Sequence, residues 1–224
     1  QPMNSESNTL AVRVERALIA MVIMNSAGVL LMLHSGSGIS AISSVPYGFQ
    51  QVFPQLTLGT WTYMFQGLLV LVLLLLRRKI MPSYLFSFVV GFVFGKLMDL
   101  EKPFIDALPL NIPMRVLYFV LSYLILCFGI SLGNRCGLPI TPTELFPREM
   151  ADSTKLPYAR VKITFDLTCL ITTAVITFVG VGAIRGLDIG TVVAACTMGK
   201  GISFIGSLLD KRLTFHSVLD GQKV

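Results

Sequence analysis

Long apolar runs alternate with short polar connections along most of the chain, and this pattern predicts six membrane-spanning helices. A helix needs about 20 apolar residues to cross the hydrocarbon core of a bilayer. The predicted spans are residues 17–33, 60–76, 83–95, 116–132, 163–181 and 191–209. No Asp, Glu, Lys or Arg occurs between Arg16 and Arg77. The chain is therefore expected to be an all-α, polytopic membrane protein in a lipid bilayer.

Composition supports this expectation and excludes several classes of function. Of the 224 residues, 54% are hydrophobic and 13% are charged, whereas soluble domains carry about 25% charged residues. The net charge of +6 comes from basic residues at the ends of apolar runs, which indicates membrane topology rather than a nucleic-acid partner. No Cys/His metal spacing, phosphate-binding loop or hydrolase motif is present, so the sequence predicts no metal, no cofactor and no enzymatic activity.

The distribution of Lys and Arg predicts the orientation of the chain. Most of these residues fall in one set of connections, which includes Arg77, Arg78 and Arg135. Connections rich in Lys and Arg face the cytoplasm. Both termini are then expected to be cytoplasmic, as an even number of spans requires.

The two halves of the sequence follow the same order of features. Each has an apolar helix, a Pro-containing segment and two further helices, and a shift of 100 residues sets Gln66 against Asp166. Three spans per half is an odd number, so the halves would form a 3+3 inverted repeat, a plan found in many secondary transporters. Chance similarity between apolar helices is the alternative. The predicted divisions are a disordered N-terminal tail (1–12), two repeats (13–110 and 111–210) and a cytoplasmic C-terminal tail (211–224).

The Pro-containing segments 39–55 and 140–155 are predicted to form one short half-helix in each repeat. In the second, Thr141 would be the N-cap, Pro142 would follow at the first helical position, and Glu144 would complete a capping box. Such a helix start presents backbone N–H groups and a positive dipole end that suit an anion. One interpretation is that both half-helices dip into the membrane from opposite faces and meet near its middle. The alternative is two amphipathic helices on the membrane surface.

Charged residues inside the spans are the main candidates for function, because burying charge in a bilayer is costly. Lys200 lies near the middle of the last span between Gly199 and Gly201, and it could line a solute path, snorkel, or pair with an acidic residue such as Glu144 or Asp166. Lys162 and Asp166 share one helix face and could neutralise each other or line the path. The predicted solute-binding residues are Lys200, Asp166, Lys162, Arg160, Glu144, Thr141, Thr143, Gln66, Asn25, Ser43 and Ser44.

Two stretches of the second half resemble a known family. The run LPITPTELFPREMADSTKLPYARVKITFDLTCL (138–170) and the later GTVVAACTMGKGISF (190–204) resemble bacterial YczE/YyaS/YitT-type integral membrane proteins. The most specific part is L-P-x-x-R-V-K-x-x-F-D at 156–166. Members commonly have Gly-Pro where this chain has Gly199-Lys200. The resemblance implies a bacterial cytoplasmic membrane, and transport is suspected for the family.

These features lead to a hypothesis of transport. The chain would be a small secondary transporter or facilitator for a small solute, working by alternating access between the two repeats. An anionic solute is preferred because of Lys200, Lys162, Arg160 and the predicted helix start at Thr141. The alternative is a non-transporting membrane partner or regulator of another protein. A homo-oligomer is compatible with either.

Overall fold

The structure is a computed structural model that describes residues 10–78, 82–135, 140–211 and 213–216. Within these residues the chain forms eight helices and two short strands. The helices are α1 (Val14–His34), α2 (Ala41–Val52), α3 (Leu58–Arg77), α4 (Pro82–Asp106), α5 (Ile112–Arg135), α6 (Pro142–Thr154), α7 (Tyr158–Val181) and α8 (Ile189–Asp210). The strands are β1 (Leu10–Arg13) and β2 (Leu213–His216).

Six of the described helices, all except α2 and α6, are long and apolar enough to cross a membrane. The predicted all-α, polytopic fold is therefore confirmed. The third predicted span, 83–95, is too short, since α4 continues to Asp106. It continues because its charges have partners: Lys96 lies 5.7 Å from the ring centres of Tyr63 and Phe92, and Asp99 accepts the backbone N–H of Gly59 at 3.0 Å.

The two short helices enter the bundle beside the middle of a long helix. Ala41, at the start of α2, packs on Leu170 in the middle of α7, and Val52, at its end, lies against Gly180 near the end of α7. The helix therefore runs outward along the second half of α7. It ends at the face where α3 begins, because Phe49 of α2 stacks on Trp61 of α3 with ring centres 5.1 Å apart.

The other short helix, α6, runs along the second half of α3 as α2 runs along the second half of α7, and it ends at the opposite face of the bundle. Its N-cap residue, Thr141, and Gln66 from the middle of α3 line one cavity. Near its C-terminus, Glu149 accepts a hydrogen bond from Arg77, the last residue of α3, at 2.9 Å. Both short helices thus begin inside the bundle and run to opposite faces. They do not lie across its ends.

The packing of the first four helices matches that of the last four. Helix α1 packs on α4, and its counterpart α5 packs on α8. In the same way, α2 packs on α7 and α6 packs on α3. The two counterparts α1 and α5 also pack on each other. Individual contacts also correspond. Ser87 of α4 donates a hydrogen bond to the carbonyl of Ile140, just before α6. Thr191 of α8 accepts one from the N–H of Ile39, just before α2, at 3.0 Å.

The chain ends meet at one face of the bundle, which we call the terminal face. There β1 pairs in parallel with β2, with Leu10 opposite Leu213 and Arg13 opposite His216. Pairing satisfies the backbone N–H and C=O groups along the facing edges of the two strands. The segments 10–13 and 213–216 are therefore extended strands. The predicted tails, 1–12 and 211–224, stay predictions, and residues 1–9 and 217–224 lie outside the described residues.

A close crossing of α3 and α4 provides a test of the packing. A Cβ atom on Gly59 would lie 2.0 Å from the carbonyl oxygen of Gly95, and a helix backbone cannot move aside as a side chain can. Gly59→Ala is therefore expected to destabilise the protein by about 1–3 kcal/mol, as measured by unfolding in detergent. Gly199→Ala, at the corresponding crossing of α7 and α8, is the control, because its Cβ would lie 3.5 Å from the nearest atom of Ala159. Equal losses of stability would contradict this packing.

Candidate functional site

A small buried cavity lies where all eight described helices converge. It offers about 40 Å³ to the centre of a water molecule, which is room for about three waters. Its polar lining consists of Asn25, Ser40, Ser43, Thr62, Gln66, Thr141, Thr143, Glu144, Lys162 and Asp166. Its apolar lining includes Phe65, Phe94, Leu126, Ile130, Ala195 and Met198. A cavity lined by ten polar side chains among apolar ones, in the middle of a bundle of membrane helices, is a candidate binding site.

One ammonium and two carboxylates meet at this cavity. The Lys162 Nζ lies 3.0 Å from Asp166 Oδ1 and 4.0 Å from Glu144 Oε1. The first pair is close because residues four apart share a helix face. All three side chains are buried: Lys162 is 2% exposed, Asp166 1% and Glu144 7%. Lys162 and Asp166 therefore both pair with each other and line the cavity.

The N-termini of α2 and α6 both reach the cavity without side-chain caps. The Ser40 hydroxyl donates to Ser43 Oγ at 3.0 Å, and the Thr143 hydroxyl donates to Thr141 Oγ1 at 3.3 Å. Neither N-cap side chain accepts a backbone N–H of its helix. The first turns of two helices, each carrying partial positive charge, are therefore directed at one small space.

The predicted start of α6 is confirmed, but the predicted capping box does not form. Thr141 is the N-cap residue and Pro142 follows it at the start of the helix. The carboxylate of Glu144 lies near Lys162 and the hydroxyl of Tyr158 instead of returning to the backbone of Thr141. The side chain is directed at these two groups because a buried carboxyl group needs polar partners.

Two buried amide side chains reach the cavity with polar atoms that have no partner in the described part of the chain. Gln66 is 0% exposed, and neither its oxygen nor its nitrogen is hydrogen bonded; the same holds for Asn25 Oδ1. Leaving such a group unsatisfied costs about 1–3 kcal/mol. The lack of a side chain at Gly91 and Gly129 gives these amides their space. Both residues line the cavity, so its wall contains hydrogen-bonding capacity that the described residues do not use.

The structure brings together most of the predicted solute-binding residues. The ones that line the cavity are Asn25, Ser43, Gln66, Thr141, Thr143, Glu144, Lys162 and Asp166. Ser44 lies just behind them and is fully buried, with its Oγ 2.7 Å from Thr173 Oγ1. Arg160 is exposed on α7 and does not line the cavity. Thus α7 contributes Lys162 and Asp166 but not the preceding arginine.

Lys200, the most prominent candidate in the sequence, lies outside the cavity. The buried residues of α8 recur every three or four positions and include Ala194, Ala195, Met198, Gly199 and Ile202, and position 200 falls off this stripe. Lys200 is exposed and has no hydrogen bond or ion pair with the described residues. The proposed pairing of Lys200 with Glu144 or Asp166 is therefore wrong, because Lys162 pairs with both.

Sequence reasoning missed Thr62, Ser40 and Phe94 in the cavity wall. For Thr62 a signal existed, since the shift of 100 residues that sets Gln66 against Asp166 also sets Thr62 against Lys162. Both members of each pair line the cavity. For Phe94 no signal was available, because an inward-facing Phe cannot be distinguished from a lipid-facing one by residue type.

The comparisons with known proteins place the chain in a family without assigning a function. A family model described as "Family of unknown function (DUF6198)" matches residues 13–207, a range that contains every residue of the cavity wall. No curated protein and no solved structure was found to match. The chain belongs to the DUF6198 family.

Proposed function

We propose that this protein moves a small solute with an anionic group across the membrane through the central cavity. The observation that carries the proposal is the pair of unpartnered amides, Gln66 and Asn25, in a buried cavity that also receives two helix N-termini and Lys162. Groups of this kind bind a polar ligand in preference to lipid or an apolar side chain. No catalytic step is part of the proposal.

The proposed mechanism is alternating access between two inverted repeats, residues 13–110 and 111–210. The corresponding packing of α1–α4 and α5–α8 supports it, as do the matching Ser87–Ile140 and Thr191–Ile39 contacts. Each repeat contributes one short helix whose start contacts the cavity and whose end lies at one face. Rocking of the repeats about the α1–α5 contact would open the cavity to the two faces in turn.

We also propose that the terminal face is cytoplasmic and that the membrane is a bacterial cytoplasmic membrane. Arg77, Arg78 and Arg135 lie at helix ends on the terminal face, and connections rich in such residues face the cytoplasm. The bacterial setting rests on the resemblance of 156–166 to YczE/YyaS/YitT-type proteins. On the basis of the same motif, we propose that this chain is related to those proteins.

The experiment that tests transport uses a substitution that should stabilise the protein and abolish binding. Gln66→Met replaces an unsatisfied buried amide with an apolar side chain of similar volume, so the ligand-free protein should gain about 1–3 kcal/mol in unfolding free energy. The same change removes groups that would bind the solute. Thermal unfolding in detergent would be followed with sodium chloride, nitrate, formate and acetate, with urea and glycerol as neutral solutes.

We expect at least one of these anions to stabilise the wild type, by about 2.7 kcal/mol at 100 times its dissociation constant. The stabilisation should disappear in Gln66→Met and persist in Lys200→Met, the control outside the cavity. Proteoliposomes that contain the wild type or Lys200→Met should take up the same anion, and those that contain Gln66→Met should not. If the anion stabilises Gln66→Met as much as it stabilises the wild type, the cavity is not its binding site and the proposal fails.

A second candidate function is supported by one observation. Lys200 is exposed at mid-length on α8, with no hydrogen bond or ion pair to the described residues, and an unpaired charge there is costly in lipid. An acidic residue on a helix of another membrane protein would relieve that cost. The protein would then act as a membrane partner, and Lys200→Met would abolish the association while leaving anion stabilisation unchanged.

A further inference from the structure

The formal charges at the cavity do not balance. Lys162 contributes one positive charge, and Asp166 and Glu144 together contribute two negative charges. An uncompensated charge in a buried site is expensive, and the group usually becomes neutral instead. The excess falls on Glu144, because Asp166 lies 3.0 Å from the ammonium and Glu144 lies 4.0 Å from it.

The contacts of Glu144 are those of a weakly satisfied carboxylate. Its Oε1 is beyond hydrogen-bonding distance of Lys162, and its Oε2 is 3.4 Å from the Tyr158 hydroxyl, which is long for an O–H···O bond. An ionised carboxylate can accept about four hydrogen bonds. By contrast, Asp166 accepts a hydrogen bond of 3.0 Å from Lys162. Of the two carboxylates, Glu144 gains less from being charged.

Few charged groups surround Glu144 in the described structure. From α7 it faces Lys162, Asp166 and Tyr158, and Cys127 of α5 lies near it. From α3 and α4 the cavity receives uncharged side chains, among them Gln66. Lys162 is therefore the one ammonium that the described residues direct at Glu144, and it is already bound to Asp166.

We infer that Glu144 holds a proton when the cavity is closed, and that this proton travels with a small monovalent anion. With the proton bound, Lys162 and Asp166 cancel, and the two helix N-termini leave the cavity partly positive, which suits an anion. Without it, the carboxylate would repel the anion. The inference rests on the proposed transport function. The proton is taken from water at one face and returned to water at the other, so the cycle moves one proton and one anion together.

The coupling is a linkage between two ligands of one site. If proton binding at Glu144 favours the anion, then the anion must favour the proton by the same factor. In the pH range where Glu144 is mostly ionised before the anion binds, anion affinity should rise by about tenfold for each unit that the pH falls. Replacing Glu144 with Gln supplies a permanent neutral group and should abolish that dependence.

The deciding experiment is infrared spectroscopy of the purified protein in lipid vesicles at neutral pH. A protonated carboxylic acid has a C=O stretching band that a carboxylate lacks. Wild type should show this band and Glu144→Gln should lose it. Asp166→Asn should lose it as well, because Lys162 is then left with Glu144 as its carboxylate partner. Glu101→Gln, at a carboxyl of α4 that does not line the cavity, is the control and should retain the band. Persistence of the band in Glu144→Gln, or its absence from wild type, would overturn the inference.

A second measurement separates this inference from the proposed function. Stabilisation by sodium formate would be measured between pH 5 and 9, in wild type and in Glu144→Gln. A pH dependence in wild type that Glu144→Gln lacks supports coupling, and an equal dependence in both overturns it. If the band behaves as expected but none of the tested anions stabilises the protein, the proton site stands and the proposed anion transport fails.

Discussion

Replacing Lys162 with Met is expected to destabilise the protein by about 3–5 kcal/mol, because it leaves the buried carboxylate of Asp166 without its ammonium. Asp166 Oδ1 lies 3.0 Å from Lys162 Nζ, whereas Glu144, at 4.0 Å, is the carboxyl group inferred to be neutral. The loss would be measured as unfolding free energy in mixed micelles. The double variant Lys162→Met/Asp166→Asn should recover most of the loss, because it removes the charge that the single variant leaves unpaired.

Lys200→Met is the matched control, since both lysines lie within long apolar helices. Lys200 is exposed on the outer face of α8, so its removal takes a charge away from lipid and should leave stability unchanged or higher. Equal destabilisation by the two substitutions would show that the buried cluster does not contribute to stability as described. Failure of the double variant to recover would point instead to a packing role for the Lys162 side chain.

Glu149→Ala is expected to open the cavity toward the terminal face. Glu149 of α6 accepts hydrogen bonds from Arg77 of α3 at 2.9 Å and from the Tyr84 hydroxyl of α4 at 2.7 Å, so it ties the second half of the chain to the first. Water screens this partly exposed ion pair, so we expect its loss to favour the open state by about 1–2 kcal/mol. A change of that size raises the population of the open state roughly 5–30-fold. In a variant without the native cysteines, Leu145→Cys should then react with a maleimide at the terminal face faster by that factor.

The control is an ion pair at the same face that lies within one half. Asp210 of α8 binds Arg135 of α5, with Oδ1 2.5 Å from Nε, and both helices belong to the second half. Asp210→Ala should therefore leave the labelling of Leu145→Cys unchanged if the halves move as units. An equal increase in both backgrounds would indicate general loosening of this face rather than movement of one half against the other.

The helices could be predicted from the sequence because each is encoded locally. A run of apolar residues is long enough to span the membrane or it is not, and Pro142 after Thr141 specifies a helix start. The end of α4 could not be predicted, since it depends on tertiary partners. From the sequence alone, Asp99 is expected to lie beyond the end of the span. In the structure it lies within α4, because the backbone N–H of Gly59, forty positions earlier, donates a hydrogen bond to its carboxylate.

The site was predicted in part, and the two lysines explain why. Lys162 and Lys200 look alike in sequence, each being a charge in an apolar run. Their roles differ because one lies on the buried stripe of its helix and the other does not. That stripe is difficult to read when most positions of a helix are apolar, whether they face lipid or protein. The Arg77–Glu149 contact spans 72 residues, and no local pattern indicates it.

The matching contacts of the two halves have an evolutionary consequence. If a duplication produced them, the ancestor was a half-length chain that inserted in both directions and associated with itself. Such a homodimer would carry every lining residue twice, so Glu144, Lys162 and Asp166 would have placed four carboxylates and two ammonium groups around one small space. Divergence of the two copies then allowed the first half to carry Thr62 and Gln66 where the second half carries Lys162 and Asp166. The asymmetry of the present cavity, with all its charge on one copy, is something a symmetric ancestor could not have had.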